Sequence, residues 1–217
     1  MTGVQTCALP IYALVLGDLP WLSFHISVEE TVRNAGRLMR EGRAEAVKLE
    51  GGRKRLPMVE ALLSAEIPVM GHLGLTPQSI HAMGGYRVQG RSVEAARELV
   101  EDARALAAAG VFAIVLEGVP DIVAQIVTQE VQVPTIGIGA GPYCDGQVLV
   151  YHDVLGLHHG RLPKFVRQYT HLADTATEAL ERFFADIESG VFPADTESYH
   201  MDEASARAFH ALMRREE

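Results

Sequence analysis

Short apolar runs alternate along this chain with longer segments of helical periodicity. The apolar runs are nearly continuous and rich in Val, Ile and Leu, as expected for strands that are covered on both faces. They lie at residues 13–17, 46–49, 68–71, 111–116 and 133–138. Helical spacing predicts helices at residues 28–41, 53–65, 93–109, 121–130 and 170–189. The alternation indicates βαβ units on a parallel sheet, and therefore the α/β class.

Boundary signals support several of these elements. Ser27 precedes the first predicted helix in a possible capping box, and Gly42 and Gly110 follow two helix ends. Weaker apolar runs at 147–151 and 160–165 are candidates for a sixth and a seventh strand. After the last predicted helix the chain is polar, and we find no internal repeat or linker.

The composition excludes several classes of protein. The 217 residues are 48% hydrophobic and carry a formal net charge of -9, which is typical of one domain with a sizeable core. The longest basic run is Arg53–Arg55, so a nucleic-acid or anionic-membrane surface is not expected. No apolar stretch approaches the roughly 20 residues that span a bilayer. Two cysteines, Cys7 and Cys144, provide neither a disulfide framework nor a Cys-rich zinc site. We therefore expect a cytoplasmic protein without nucleic-acid or membrane partners.

Ionisable residues follow or interrupt the predicted strands at their carboxyl ends. Asp18 comes directly after the first apolar run, Lys48 and Glu50 lie at the end of the second, His72 follows the third, and Glu117 closes the fourth. Side chains alternate along a strand, so Lys48 and Glu50 share one face. Active sites of parallel α/β proteins form at the carboxyl ends of strands. The sequence thus predicts a site that holds a cation, an imidazole and several carboxylates.

Each of these residues also has a structural interpretation. Glu117 precedes Pro120 and could stabilise the N-terminus of the next helix. Glu50 could serve only as the ion-pair partner of Lys48, because a charge within an apolar strand is costly unless it is paired. A single histidine such as His72 is more often a hydrogen-bonding residue than a ligand.

Two other features carry weaker signals. The glycine-rich stretch 137–141 follows a strand and could bind a phosphate, but such turns are common and the acid of a dinucleotide fingerprint is not clearly placed. The histidines at 152, 158 and 159 lie in a turn-rich stretch without cysteine. We interpret these histidines as structural or solvated.

Several strings of residues resemble the ketopantoate hydroxymethyltransferase family. The similarity runs in order from about residue 13 to residue 200. The strings are VKLEGG at 47–52, GHLGLTPQ at 71–78, GGYRVQG at 84–90, VLEGVP at 115–120, IGIGAG at 136–141, DGQ at 145–147 and PKF at 163–165.

The resemblance implies a fold and an activity. The expected fold is a (β/α)8 TIM barrel of the phosphoenolpyruvate-binding superfamily. The expected enzyme is a transferase of pantothenate and coenzyme A biosynthesis. It moves a hydroxymethyl group from 5,10-methylenetetrahydrofolate to the small 2-oxo acid 3-methyl-2-oxobutanoate and forms 2-dehydropantoate. A homo-oligomer is expected, because members of the family form decamers.

The resemblance also implies roles for individual residues. Asp18 and Glu50 match magnesium-site residues, and Asp18 and Lys48 match residues that bind the oxo acid. Glu117 matches the acceptor of the C3 proton of the substrate, and His72 is a candidate for support of the active site. Carboxylate oxygens are ligands that Mg2+ prefers, and a hydrated ion needs only one or two of them from the protein.

The chain departs from the family pattern at its N-terminal end. The first two βα units of the family, with a Gly-Asp-Ser string, have no counterpart before Asp18. Residues 1–12 instead look like a non-native leader. We therefore expect one incomplete barrel domain at 13–200 and a polar tail at 201–217. Two alternative functions follow: an inactive truncated fragment, or a related magnesium-dependent lyase or mutase that acts on another 2-oxo acid.

Overall fold

The computed structural model of the protein describes residues 13–158 and 160–214. The described chain forms two compact units, residues 13–150 with 163–166 and residues 151–162 with 167–214. The predicted leader at 1–12 lies outside the described residues. The single domain and the polar tail stay predictions.

A curled, six-stranded parallel sheet forms the centre of the first unit, with the strands in sequential order. The strands are β1 (Leu16–Asp18), β2 (Ala46–Glu50), β3 (Val69–Gly74), β4 (Ala113–Glu117), β5 (Thr135–Ile138) and β6 (Gly146–Gln147). The helices of this unit are α1 (Val28–Arg40), α2 (Leu56–Ser64), α3 (Ile80–Met83), α4 (Val93–Ala109) and α5 (Asp121–Glu130). The predicted α/β class and parallel sheet are confirmed.

Polar caps set the helix boundaries that the sequence predicts. The Ser27 hydroxyl accepts a hydrogen bond from the Glu30 N–H at the start of α1, and Ser92 accepts one from Ala95 at the start of α4. Gly110 ends α4 with a φ of 102°, a backbone conformation that side chains disfavour.

The hydrophobic core lies between the sheet and the helices α1, α2, α4 and α5. Burial of one large apolar side chain contributes about 1.5–3 kcal/mol relative to its exposure. The largest fully buried side chains include Phe24, Leu49, Leu62, Leu106, Ile114 and Leu116. Val47 and Leu49 of β2 point into this core, so Lys48 and Glu50 project from the other face of the strand.

The two weaker strand candidates have different outcomes. The predicted strand at 147–151 overlaps the short β6, which pairs with β5, only at Gln147, because residues 148–150 are irregular and α6 begins at Tyr151. The predicted strand at 160–165 is wrong, because these residues form turns and irregular structure around Pro163. Proline cannot donate to a strand ladder, so an apolar run that contains it is a weak strand.

The second unit is helical. It contains α6 (Tyr151–Val154), α7 (Leu172–Glu188) and α8 (Glu203–Met213). The polar tail thus contains a helix, which the Asp202 carboxylate caps by accepting from the Ser205 N–H. Among the described residues, no helix has the combination of length and apolarity needed to cross a bilayer.

Candidate functional site

The carboxyl ends of β1 to β4 bring all five predicted site residues to one face of the sheet. In the strand register, Asp18 lies opposite Lys48, and Glu50 lies opposite His72. Glu117 ends β4, two positions beyond the residue that pairs with His72. Residues directly opposite in a parallel pair point to the same side. The five side chains therefore form one cluster, which we call the strand-end cluster.

Lys48 is the cation at the centre of this cluster. Its Nζ lies 2.8 Å from Oδ1 of Asp18 and 3.3 Å from Nδ1 of His72. The Lys48 side chain is only 16% exposed, whereas that of Asp18 is 54% exposed. A largely buried ammonium group is stable only when it is paired, and Asp18 supplies the negative charge.

His72 connects Lys48 to Glu117. Because the Lys48 ammonium can only donate, a hydrogen bond between them makes Nδ1 the acceptor and places the ring proton of neutral His72 on Nε2. Nε2 lies 3.2 Å from Oε2 of Glu117, although the two atoms are not aligned as a hydrogen bond.

Glu50 is a buried carboxylate that lacks a full set of partners. Its Oε2 accepts the backbone N–H of Gln78 at 3.0 Å. Among the described residues, no hydrogen bond to Oε1 is formed, and Nδ1 of His72 lies 3.8 Å from it. Burial raises the pKa of the Glu50 carboxyl above its ordinary value, although His72, the Gln78 N–H and Lys48 act in the opposite direction.

Gln78 is a site residue to which the sequence analysis assigned no role. Its backbone N–H binds Glu50, and its side-chain amide donates to the carbonyl of Leu19 at 2.9 Å. Gln78 thus connects the ends of β1, β2 and β3. The family string at 71–78 includes Gln78 and was the one sequence signal for it. The spacing of residues does not indicate which atoms of this loop contact the site.

The loop after Glu50 is fixed by an ion-pair cluster. The Arg53 backbone N–H and Nε both donate to Oδ1 of Asp102, and the guanidinium also contacts Glu98 and Glu101. A Cβ on Gly52 would lie 2.0 Å from the Asp102 carboxyl group. Glycine is therefore required at position 52 for the close approach of α4.

The glycine-rich turn after β5 is filled by protein atoms. A Cβ at Gly139 would lie 2.6 Å from the Phe165 ring, and one at Gly141 would lie 2.4 Å from Cβ of Asp121. The glycines therefore allow close packing, which explains them without a phosphate. His152 and His158 are exposed, as the solvated interpretation predicts, and residue 159 lies outside the described residues.

The donor set fits a hydrated magnesium ion. In the described part of the chain, no group of three or more metal-ligating side chains converges. Asp18 and Glu50 nevertheless offer carboxylates at neighbouring strand ends, and Oε1 of Glu50 is free of close donors. One or two hard oxygen ligands are sufficient for an ion that keeps most of its water.

Comparisons with known proteins give a consistent result. The family model described as ketopantoate hydroxymethyltransferase matches residues 4–195. Three similar proteins are each named 3-methyl-2-oxobutanoate hydroxymethyltransferase. The protein from Syntrophomonas wolfei is 57% identical over 191 residues, which are 88% of this chain and 69% of the relative. The protein from Clostridium botulinum is 53% identical over 88% of this chain and 70% of the relative. The protein from Syntrophobacter fumaroxidans is 54% identical over 92% of this chain and 71% of the relative.

Proposed function

This chain belongs to the ketopantoate hydroxymethyltransferase family, and we propose that it transfers a hydroxymethyl group to 3-methyl-2-oxobutanoate. The one-carbon donor is 5,10-methylenetetrahydrofolate, and the products are 2-dehydropantoate and tetrahydrofolate. The reaction removes the C3 proton of the oxo acid and forms a bond from C3 to the folate-borne carbon. The two bonds from that carbon to folate nitrogens break, and one water is taken up, whose oxygen becomes the new hydroxyl group. We propose further that the six-stranded sheet is part of a (β/α)8 barrel.

Glu117 is the proposed general base for the C3 proton. Its carboxylate is 15% exposed and lies at the carboxyl end of β4, on the face that carries Lys48 and Glu50. The neighbouring Nε2–H of His72 would orient the carboxylate and hold its charge in place. A positioned general base contributes about 10²- to 10⁴-fold to the rate.

Lys48 and Asp18 are the proposed binding groups for the oxo acid. The Lys48 ammonium would offset the substrate carboxylate, while His72 keeps it directed toward the strand ends. Asp18 is more than half exposed, so its carboxylate is accessible to the substrate while it pairs with Lys48.

Asp18 and Glu50 are the proposed holders of magnesium. When bound, the ion would supply Lewis-acid polarisation of the substrate ketone, which makes the C3 proton more acidic. The Gln78 N–H holds one oxygen of Glu50, so the other oxygen keeps a defined direction. The decameric assembly and the cytoplasmic location stay predictions.

The observation that carries this proposal is the continuous contact from Asp18 through Lys48 and His72 to Glu117. It joins a candidate substrate-binding cation to a candidate base within a cluster that also offers two carboxylates for a metal. Incubation of the purified chain with the oxo acid, magnesium and 5,10-methylenetetrahydrofolate tests it. Mass spectrometry should detect 2-dehydropantoate only when the folate is present.

The same assay tests the lyase or mutase alternative, which the comparisons do not favour. A lyase or mutase would convert a 2-oxo acid without the folate. Folate-independent conversion of the oxo acid, with no 2-dehydropantoate, would therefore contradict the hydroxymethyltransferase proposal.

A further inference from the structure

Buried polar atoms without partners are concentrated at the carboxyl ends of the first three strands. In the part of the chain that the structure describes, four buried side-chain atoms lack a hydrogen-bond partner: His25 Nδ1, Arg55 Nε, His72 Nε2 and Gln78 Oε1. His72 and Gln78 belong to the site already described. His25 and Arg55 lie outside it, in the loops that follow β1 and β2. A buried donor without an acceptor costs about 1–3 kcal/mol, so a bound acceptor would stabilise both positions.

Arg55 and His25 both pack against Phe24. The Arg55 guanidinium carbon is 5.3 Å from the centroid of the Phe24 ring, and the Phe24 and His25 rings are 4.1 Å apart. The Arg55 and Lys54 side chains cover Gly51, where a Cβ would lie 2.9 Å from Arg55 Cγ and 3.3 Å from Lys54 Cε. The three basic side chains therefore meet beside the loop that directly follows Glu50.

These basic groups have no acidic counterpart among the described residues. Arg53, only two positions before Arg55, contacts Glu98, Glu101 and Asp102. Lys54, Arg55 and His25 form no ion pair with the described acidic residues. Burial lowers the pKa of Arg55, and burial together with the charges of Arg55 and Lys54 lowers that of His25. A half-buried guanidinium without a carboxylate partner is costly, so a bound anion that supplies the missing charge would stabilise it.

We propose that Arg55, Lys54 and His25 form an anion-binding site that takes the carboxylates of the glutamate tail of the folate co-substrate. The guanidinium offers Nε–H and its terminal N–H groups as donors. His25 offers Nδ1–H when its ring proton is on Nδ1. The choice of folate rests on the proposed function. The reacting ring of the folate must approach the strand-end cluster, and its charged tail needs a basic partner outside that cluster. The oxo-acid carboxylate has its own proposed partner in Lys48.

Direct binding measurements test this site without turnover. Equilibrium dialysis under argon would give the Kd of tetrahydrofolate, of its triglutamate form, of 3-methyl-2-oxobutanoate and of inorganic phosphate. Arg55→Met keeps the apolar stem over Phe24 and removes the charge. Arg43→Met is the matched control, because Arg43 is exposed in the loop before β2, at the amino end of the strand, whereas Arg55 follows its carboxyl end. Lys54→Met is the second variant, and it serves if Arg55→Met fails to fold, because Lys54 is exposed.

The expected result is a Kd for tetrahydrofolate triglutamate that rises about tenfold in Arg55→Met and severalfold in Lys54→Met. It should be unchanged in Arg43→Met, and the Kd of the oxo acid should be unchanged in all three. Equal folate affinity in wild type and both loop variants would overturn the inference. So would a loss confined to phosphate or to the oxo acid. Because no turnover is needed, Arg55-dependent folate binding by an inactive chain would contradict the proposed function and leave this site supported.

Discussion

His72 and Glu117 face each other across β3 and β4, with Nε2 of the imidazole 3.2 Å from Oε2 of the carboxylate. Both side chains are largely buried, at 4% and 15% exposure. The opposite ring nitrogen of His72 lies 3.3 Å from Lys48 Nζ. One imidazole thus connects the candidate base with the candidate substrate-binding cation.

His72→Gln should lower kcat by about 10- to 100-fold, because support groups of this kind fix the orientation of the residue that reacts. The KM for the oxo acid should rise less, since Lys48 keeps its contact with Asp18. Steady-state kinetics measures both constants, and thermal unfolding shows whether the variant is folded. A folded variant with wild-type kcat would contradict a positioning role for His72.

Substitutions of Glu50 and of Lys48 should have different effects, the first on magnesium binding and the second on substrate binding. Glu50→Ala removes the buried carboxylate, so the magnesium concentration that gives half-maximal activity should rise at least tenfold. Lys48→Ala should mainly raise the KM for the oxo acid, because it removes the cation that offsets the substrate carboxylate. Titrations of each variant with magnesium and with oxo acid measure the two effects. Identical magnesium dependence in Glu50→Ala and wild type would contradict the ligand role.

Two glycines provide a matched test of the loop after β2. Gly52→Ala should destabilise the fold by about 1–3 kcal/mol, because the new Cβ would lie 2.0 Å from the Asp102 carboxyl group. Gly36→Ala, in α1 with no atom within 4 Å of the new Cβ, should stabilise it by about 0.5–1 kcal/mol. Urea unfolding of both variants gives the free energies. Equal effects of the two substitutions would show that the loop does not pack against α4 as described.

Asp145 should contribute to stability in a pH-dependent way. Hydrogen bonds from the Thr135 N–H and hydroxyl hold the pKa of Asp145 below its ordinary value of 3.8. A lowered pKa in the folded state stabilises the protein above the unfolded-state pKa, and this stabilisation is lost as the pH falls through the folded-state value. Wild type should therefore be more stable than Asp145→Asn at pH 6, by a margin that shrinks below pH 4. A margin independent of pH would contradict the assignment.

The sequence predicts the elements of the sheet well because their signals are local. Ser27 and Gly110 mark helix boundaries through their own backbone and side-chain chemistry, and the alternation around Lys48 and Glu50 sets which side chains share a face. The contact of His72 with both Lys48 and Glu117 depends on the strand register, which no local pattern specifies. Gln78 depends on the path of the loop after β3, so its role could not be predicted from spacing.

The other differences between the sequence-based predictions and the structure also arise from contacts between distant residues or from a single residue within a run. The run at 160–165 has the apolar character of a strand but contains Pro163, and it forms turns instead. The glycine-rich turn carries a weak phosphate signal in the sequence, which does not show that Phe165 and Asp121 fill the space beside it. Arg55 and His25 lie 30 positions apart, and only the fold places Arg55 against Phe24, the neighbour of His25.

Exchange of the C3 hydrogen of 3-methyl-2-oxobutanoate in deuterated water tests the central claim most directly, because it reports proton removal without the folate. With magnesium present, the wild-type chain should catalyse exchange, and NMR should follow the loss of the C3 signal. Glu117→Gln should keep binding of the oxo acid and lower the exchange rate by about 10²- to 10⁴-fold. Exchange at the wild-type rate in a folded Glu117→Gln variant would contradict the assignment of Glu117 as the base.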